Sequence, residues 1–214
     1  MTWIIRENKN FEFPTMDLIE NYNKKFDEDE KANAQDMAIK KLIEEHKENN
    51  ELHIILLKVA AINSLYSTNI YNTFKMAEHI LKLNIDQKLK NPSTKIVQEI
   101  ANLEFPDKTG KEIKKNMYSF ATKYCNWHEN DLYPIYDSFV ERLLKEYRKE
   151  SINKKPELNF SKHKWKNKDL KNYDKFREII KKFKESFKIT DEVNYKKLDK
   201  FLWYYHKDIF EEKR

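Results

Sequence analysis

The chain has 214 residues, of which 39% are hydrophobic and 14% aromatic, and this is enough to bury a core. It contains a single glycine, which excludes Walker-type loops, dinucleotide-binding fingerprints and nucleophile elbows, because those motifs need several residues with positive φ. The formal net charge of +6 favours polyanionic partners, although a lysine-rich surface also follows from the codon bias of an AT-rich genome.

Residue types that carry metal or redox chemistry are sparse. Cys125 is the single cysteine, so an internal disulfide and a cysteine-based zinc site are excluded. The six histidines are scattered without a His-Glu-x-x-His motif, and we expect no metal site. No apolar leader and no run of membrane-spanning length is present, so we expect a cytoplasmic protein that needs no membrane and no nucleotide or other cofactor.

The first half of the chain predicts an extended arm followed by helices. The arm covers residues 2–5, and helical periodicity begins with an amphipathic segment over 27–46. Residues 51–66 are apolar on nearly all sides, which predicts a helix in the middle of a bundle. Two further helices are predicted to begin at hydroxyl caps, one after Ser67-Thr68 and one at Ser93.

The second half predicts a loop and four more helices. Pro106 and Gly110 indicate a loop over 104–110, and apolar spacing predicts a helix over 111–127. The next helix begins at Asp137, and a basic connector at 149–168 leads to two amphipathic helices. We therefore predict an all-α protein, a compact orthogonal bundle of about eight helices in a single domain over residues 1–214.

One short segment, Tyr133 to Arg142, is the best candidate for a chemical site. It places Asp137 and Ser138 where a loop that contains Pro134 turns into a helix. An aspartate there commonly caps the helix by accepting backbone N–H groups, which contributes about 1 kcal/mol. Alternatively, Asp137 stands at the mouth of a cleft, where partial burial adapts a carboxylate to act as a base or to stabilise a cation.

The sequence from Lys111 to Leu144 resembles the helix-hairpin-helix DNA glycosylase superfamily. The resemblance rests on Pro134-Ile135-Tyr136-Asp137-Ser138-Phe139-Val140-Glu141-Arg142, which is similar to that family's Asp-Thr/Ser-x-Val-x-Arg pattern, and on Ala121 upstream. It implies a glycosylase-like helical core over 52–148, with residues 1–51 and 149–214 packing on it. Asp137 would then be the catalytic aspartate that assists attack at C1′ of a flipped nucleotide.

The same resemblance implies a base pocket and contacts to the DNA backbone. Trp127, His128, Tyr133 and Tyr136 would line the pocket or its rim, while the alternative is core packing for the aromatic residues and a solvated position for His128. The segment that matches the family's hairpin has Lys114 and Lys115 but no glycine. Ser119 occupies the position of the Schiff-base lysine that the bifunctional members carry.

Arginine and lysine residues beyond Asp137 extend the candidate DNA-binding surface. Arg142 and Arg148 are suited to bidentate phosphate contacts, although Arg142 is also placed to pair with Glu141 or Glu146. The segment 145–184 mixes lysine and arginine with Trp165, and its alternative is a solvated helix face.

The sequence therefore favours a protein that binds nucleic acid, most simply double-stranded DNA, and excises or senses a modified base. Two alternatives stay open: a catalytically inert DNA-binding or protein-interaction module that kept the fold, and a small helical protein unrelated to DNA.

Overall fold

A computed structural model provides the structure of the protein and describes residues 2–91 and 94–213. The described residues form eleven α-helices, two of them only four or five residues long, and four short strands in two small sheets. The prediction of an all-α class is confirmed. The predicted cap at Ser93 lies outside the described residues.

The elements in chain order are β1 (Thr2–Ile5), α1 (Met16–Glu28), α2 (Glu30–Glu45), α3 (Leu52–Tyr66), α4 (Thr73–Leu83), α5 (Asp86–Lys90), α6 (Thr94–Ala101), β2 (Asn102–Pro106), β3 (Glu112–Asn116), α7 (Tyr118–His128), α8 (Ser138–Lys154), α9 (Asn159–Lys162), a 3-10 helix (Asn167–Lys171), α10 (Tyr173–Ser186), α11 (Tyr195–Ile209) and β4 (Phe210–Lys213).

The chain divides into two compact units. One unit is formed by both ends of the chain, up to residue 33 and from residue 137 onward, and is called the terminal unit here. The other is the continuous stretch 34–136, called the central unit. These boundaries do not coincide with the predicted core boundaries at 52 and 148.

The terminal unit is built around α8, α10 and α11. Helix α1 packs along α11, which also contacts α8, and β1 pairs antiparallel with β4. Its core is rich in aromatic rings: Tyr147 lies 4.7 Å from Phe11 and 5.1 Å from Phe183 between ring centroids. Because aromatic side chains bury large areas, these contacts join the two ends of the chain in one core.

The central unit is a helical cluster with a β-hairpin. Helix α3 packs against α4 and α7, and α6 packs against α7. Strands β2 and β3 pair antiparallel, with Leu103 opposite Lys115. The core side chains are fully buried and aliphatic at Ile55, Val59, Ile62, Met76, Ile80, Val97 and Ile100.

Several predicted helix boundaries in the first half were wrong. Helix α1 was not predicted. The predicted helix over 27–46 starts too early, because residue 27 lies in the last turn of α1 and α2 starts only at Glu30. Helix α4 is capped by Asn72, whose side chain accepts the Lys75 amide, while Ser67 ends α3 with a φ of 51°. Helix α3 is not enclosed on all sides, because the Leu57 side chain is 51% exposed.

The predicted helix over 111–127 was also wrong at its beginning. Residues Glu112–Asn116 form β3, and the helix starts only at Tyr118. The turn explains the difference: Asp107 Oδ1 accepts the amides of Thr109 and Lys111, at 2.8 and 3.0 Å, and Gly110 takes a φ of 85°. This closed turn brings the two strands into register, and pairing then overrides the helical spacing of Ile113.

Candidate functional site

Asp137 is the N-cap of α8. Its Oδ1 atom accepts hydrogen bonds from the backbone amides of Phe139 and Val140, both at 2.9 Å, and its own backbone is extended. Helix α8 forms behind this cap because Val140, Leu143 and Leu144 recur at helical spacing and are fully buried. The capping interpretation is confirmed, and the catalytic role of Asp137 stays a prediction.

Tyr133 and Tyr136 lie in the core of the central unit, with exposed fractions of 0% and 7%. The Tyr133 hydroxyl donates to the Leu89 carbonyl at 3.0 Å, and its own carbonyl accepts from Asn126 at 2.7 Å. The Tyr136 amide donates to Thr122 Oγ1 at 3.1 Å. Within that unit these bonds fasten the segment before Asp137 to α7, which agrees with the core-packing alternative.

His128 and Trp127 occupy the end of α7, where both residues are half-buried and the ring atoms His128 Nε2 and Trp127 Nε1 are inaccessible to solvent. The His128 ring lies 5.0 Å from the Tyr124 ring between centroids. Burial, together with the positive charge of Lys58, lowers the pKa of His128 to about 3. A histidine in this environment is neutral at physiological pH, and the solvated position considered for it was wrong.

A buried polar network in the central unit was not predicted from the sequence. Lys58 is fully buried, and its Nζ donates to the Glu48 carbonyl at 2.8 Å and to Asn49 Oδ1 at 3.0 Å. The Tyr124 hydroxyl donates to the same Asn49 oxygen at 2.5 Å, and Asn49 donates to Asp86. Burial lowers the pKa of Lys58 to about 8, although Asp86 opposes the shift. No sequence spacing relates these positions.

Lys114 and Lys115 lie on β3, not on a helical hairpin. Both are exposed, and Lys114 contacts the carboxylates of Glu104 at 3.1 Å and Glu112 at 3.6 Å. The hydrogen bond to Glu104 raises the pKa of Lys114. The local positive charge is therefore partly offset by acidic neighbours on the same hairpin.

Arg142 contacts an aromatic cluster in the terminal unit. Its Nη1 donates to His206 Nε2 at 2.5 Å, and its Cζ lies 4.4 Å from the Trp3 ring centroid. His206 is fully buried and stacks on Phe139 at 4.1 Å between centroids. His206 Nε2 accepts a hydrogen bond from a cation, so the ring is neutral. Burial is the larger cause and the positive charge of Arg142 the smaller one that lower the pKa of His206 to about 4.

This contact adds to the pairing considered from the sequence, because the charge of Glu141 still favours the protonated form of Arg142 and opposes the lowering of its pKa by burial. Glu141 pairs with Lys145, and Glu146 pairs with Lys149 at 2.8 Å. The Arg142 guanidinium contacts His206 and Trp3 and has acidic neighbours, so it contributes less to an exposed basic surface than its charge suggests.

Arg148 lines an open groove of about 430 Å³, which we call the α8 groove. The groove is lined by Lys145, Arg148, Lys149, Ile152, Asn153, Trp165 and Asn167. The first five residues follow the spacing i, i+3, i+4, i+7 and i+8, so they share one face of α8. Trp165 and Asn167 come from the segment between α9 and the 3-10 helix and from the start of that helix.

Within the α8 groove, Arg148 is held against Trp165. Its Nη1 donates to the Trp165 carbonyl at 2.6 Å, and its Cζ lies 4.6 Å from the indole centroid. The Arg148 Nε and Trp165 Nε1 atoms are buried, and neither has an acceptor among the described residues. The groove therefore brings three cationic side chains together beside a covered indole ring. The residues from 145 to 167 that line the groove are thus the part of the basic segment 145–184 that the fold brings together around a cavity.

Metal ligands and membrane spans are absent from residues 2–91 and 94–213. These residues contain no group of three or more His, Cys, Asp or Glu side chains arranged to hold a metal ion. They also contain no helix that is both long and apolar enough to span a bilayer.

Comparison with known proteins identifies relatives over most of the chain. An uncharacterized protein of Haemophilus influenzae is 40% identical over 149 residues, which cover 69% of this chain and 64% of that protein. The chain thus spans less than two thirds of the relative's length. No solved structure matches the chain. Residues 18–132, more than half of the chain, match the model of the HI_0787_N family, an N-terminal domain, and the chain therefore belongs to this family.

Proposed function

We propose that this protein binds nucleic acid and holds its phosphate groups in the α8 groove. The observation that carries the proposal is the row of Lys145, Arg148 and Lys149 on one face of α8, beside Trp165. Lysine and arginine neutralise phosphates and release counterions, and the guanidinium adds directional hydrogen bonds. The formal net charge of +6 supports the same class of partner.

The cationic side chains of the groove favour an anion over a neutral ligand. Lys145, Arg148 and Lys149 place three positive charges along one face of α8. A phosphate offers several acceptor oxygens and a negative charge at once. Glu141 pairs with Lys145 and Glu146 with Lys149, so part of the lysine charge is already offset along the helix.

Binding can be measured with fluorescently labelled DNA by anisotropy as the salt concentration rises from about 50 to about 200 mM. We expect the logarithm of the association constant to fall linearly with the logarithm of salt concentration. Arg148→Gln should weaken binding and reduce the slope by about 0.7–0.9 for each phosphate that the variant no longer neutralises. Lys24→Gln on α1, an exposed charge outside the groove, is the matched control. Binding that does not respond to salt, or no binding at the lowest salt, contradicts the proposal.

A second candidate is base excision assisted by Asp137, which the resemblance to DNA glycosylases implies. The hydrogen bonds from Phe139 and Val140 to its carboxylate agree with the structural role, so this candidate rests on the resemblance alone. Asp137→Asn keeps an oxygen for the cap and removes the negative charge, so it separates the two roles. If Asp137 is catalytic, this variant loses release of damaged bases from DNA while it keeps its DNA affinity. Equal base release by both proteins, or none by either, removes the catalytic candidate.

A further inference from the structure

The size of the α8 groove limits what it accommodates. Its volume of about 430 Å³ lies near the lower end of the range for small-molecule pockets, which is about 300–1,000 Å³. A groove of that size has room for one nucleotide. The cations at its wall still reach the phosphates on either side of that nucleotide.

The groove also has an apolar wall that phosphate contacts leave unused. Ile152 is 48% exposed and lines the groove one helical turn beyond Arg148. In a duplex the flat faces of the bases are stacked inside the helix. An apolar side chain that lies beside the backbone therefore finds no base face to contact. In a single strand a base is free to leave the stack and to cover Ile152, which removes apolar surface from water.

Arg148 provides the planar surface in this arrangement. One face of its guanidinium lies on the Trp165 ring, at 4.6 Å, and Trp165 itself is only 6% exposed. The indole is therefore covered, and Arg148, which is half-buried, has more exposed surface in the groove than Trp165. Guanidinium planes stack on unpaired bases, and a guanidinium fixed by a ring and a carbonyl loses little freedom when a base stacks on it.

Polar groups around the groove complete a site for a nucleotide. Asn153 and Asn167 carry amides that both donate and accept, which suits the edge of a base. Lys145 and Lys149 carry the positive charges that suit the phosphates, and each also pairs with a glutamate on the same helix. An anionic group next to a flat, partly apolar group describes a nucleotide better than a free phosphate.

We infer that the α8 groove binds one unstacked nucleotide of a single strand, with its base against Arg148 and Ile152 and its phosphates on Lys145 and Lys149. This inference rests on the proposed function and adds a preference for single-stranded nucleic acid over the duplex.

The test compares a labelled single-stranded DNA oligonucleotide of mixed sequence with the duplex that it forms with its complement, at one salt concentration. We expect the single strand to bind the full-length protein about 5- to 100-fold more tightly. Ile152→Ser should weaken single-strand binding several-fold without a change in the salt slope. Arg148→Lys, which keeps the charge but not the plane, should weaken it in the same way and leave duplex binding nearly unchanged.

The controls separate this inference from the proposed function. Lys24→Gln should change neither affinity, and melting curves show whether each variant is folded. If the duplex binds as tightly as the single strand, or if Ile152→Ser and Arg148→Lys have no effect on single-strand binding, the inference is overturned while nucleic-acid binding stands. If neither form binds at low salt, the inference and the proposed function both fail.

Discussion

Asp137 satisfies two backbone amides at the first turn of α8 with a single carboxylate oxygen. Those amides have no partner within the helix, so removal of the side chain leaves them dependent on water. We predict that Asp137→Ala lowers the free energy of unfolding by about 1 kcal/mol, within a range of about 0.5–2 kcal/mol. Asp137→Asn should cost less, because its amide oxygen still caps the helix. Urea denaturation measures both changes. If the free energy of unfolding of Asp137→Ala equals that of the wild type, the cap does not stabilise the protein.

Lys58 gives a second prediction at the scale of one residue. Burial lowers its pKa from the usual 10.5 to about 8, so the unfolded chain binds more protons than the folded chain between these values. Burial also raises the pKa of the Cys125 thiol, which lowers stability with pH over the same range, so the measurement is made in a Cys125→Ala background. In that background stability should rise with pH from about 8 to about 9.5, below the range where tyrosines in the unfolded chain ionise. Thermal melting across this window measures the rise. Lys58→Met should remove it, whereas the exposed Lys24→Met should keep it; an unchanged rise in Lys58→Met is the contrary result.

At the scale of the element, α8 carries two separate faces. Val140, Leu143, Leu144 and Tyr147 are fully buried, while the residues of the α8 groove lie on another face. We predict that Leu144→Ala lowers the free energy of unfolding by about 2–5 kcal/mol, because it leaves a cavity in a packed core. Ile152→Ala, on the groove face, should change it by less than about 0.5 kcal/mol. Chemical denaturation measures both, and a large decrease in Ile152→Ala shows that this residue supports the fold.

The hairpin of β2 and β3 shows where element prediction from sequence stops. Ile113 and Met117 have the spacing of a helical face, yet Ile113 lies in a strand opposite Phe105. The turn at Asp107 and Gly110 favours the strand over the helix, because it brings residues 102–106 alongside residues 112–116. A period of three or four over one short segment does not distinguish a helix from a strand with a partner. Helices α8, α10 and α11 were predictable because their periodicity runs over three turns or more.

At the scale of the whole molecule, each unit contains a buried neutral histidine. The pKa is about 4 for His206 in the terminal unit and about 3 for His128 in the central unit, against a usual 6.5. As pH falls below about 6.5 the unfolded chain gains protons that the folded chain does not take up, so stability is full above this value and falls toward about pH 4.

This acid sensitivity is measurable as the melting temperature between about pH 7 and about pH 5, where few carboxylates have yet been protonated. We predict a continuous fall in the wild-type protein. His206→Gln should fall less steeply, and the exposed His53→Gln should follow the wild type, because that side chain stays in solvent in both states. A melting temperature that is constant over this range contradicts the prediction.

The sequence by itself determined the helical class, the long amphipathic helices and the cap at Asp137, because these depend on neighbours within a few positions. The tertiary structure alone decided the partners of the charged side chains. Arg142 meets His206, which is 64 positions away, and Lys58 joins a network with Asn49 and Tyr124. It also placed Trp165 under Arg148 and so shaped the α8 groove. Such contacts arise only when distant segments pack, and no local spacing encodes them.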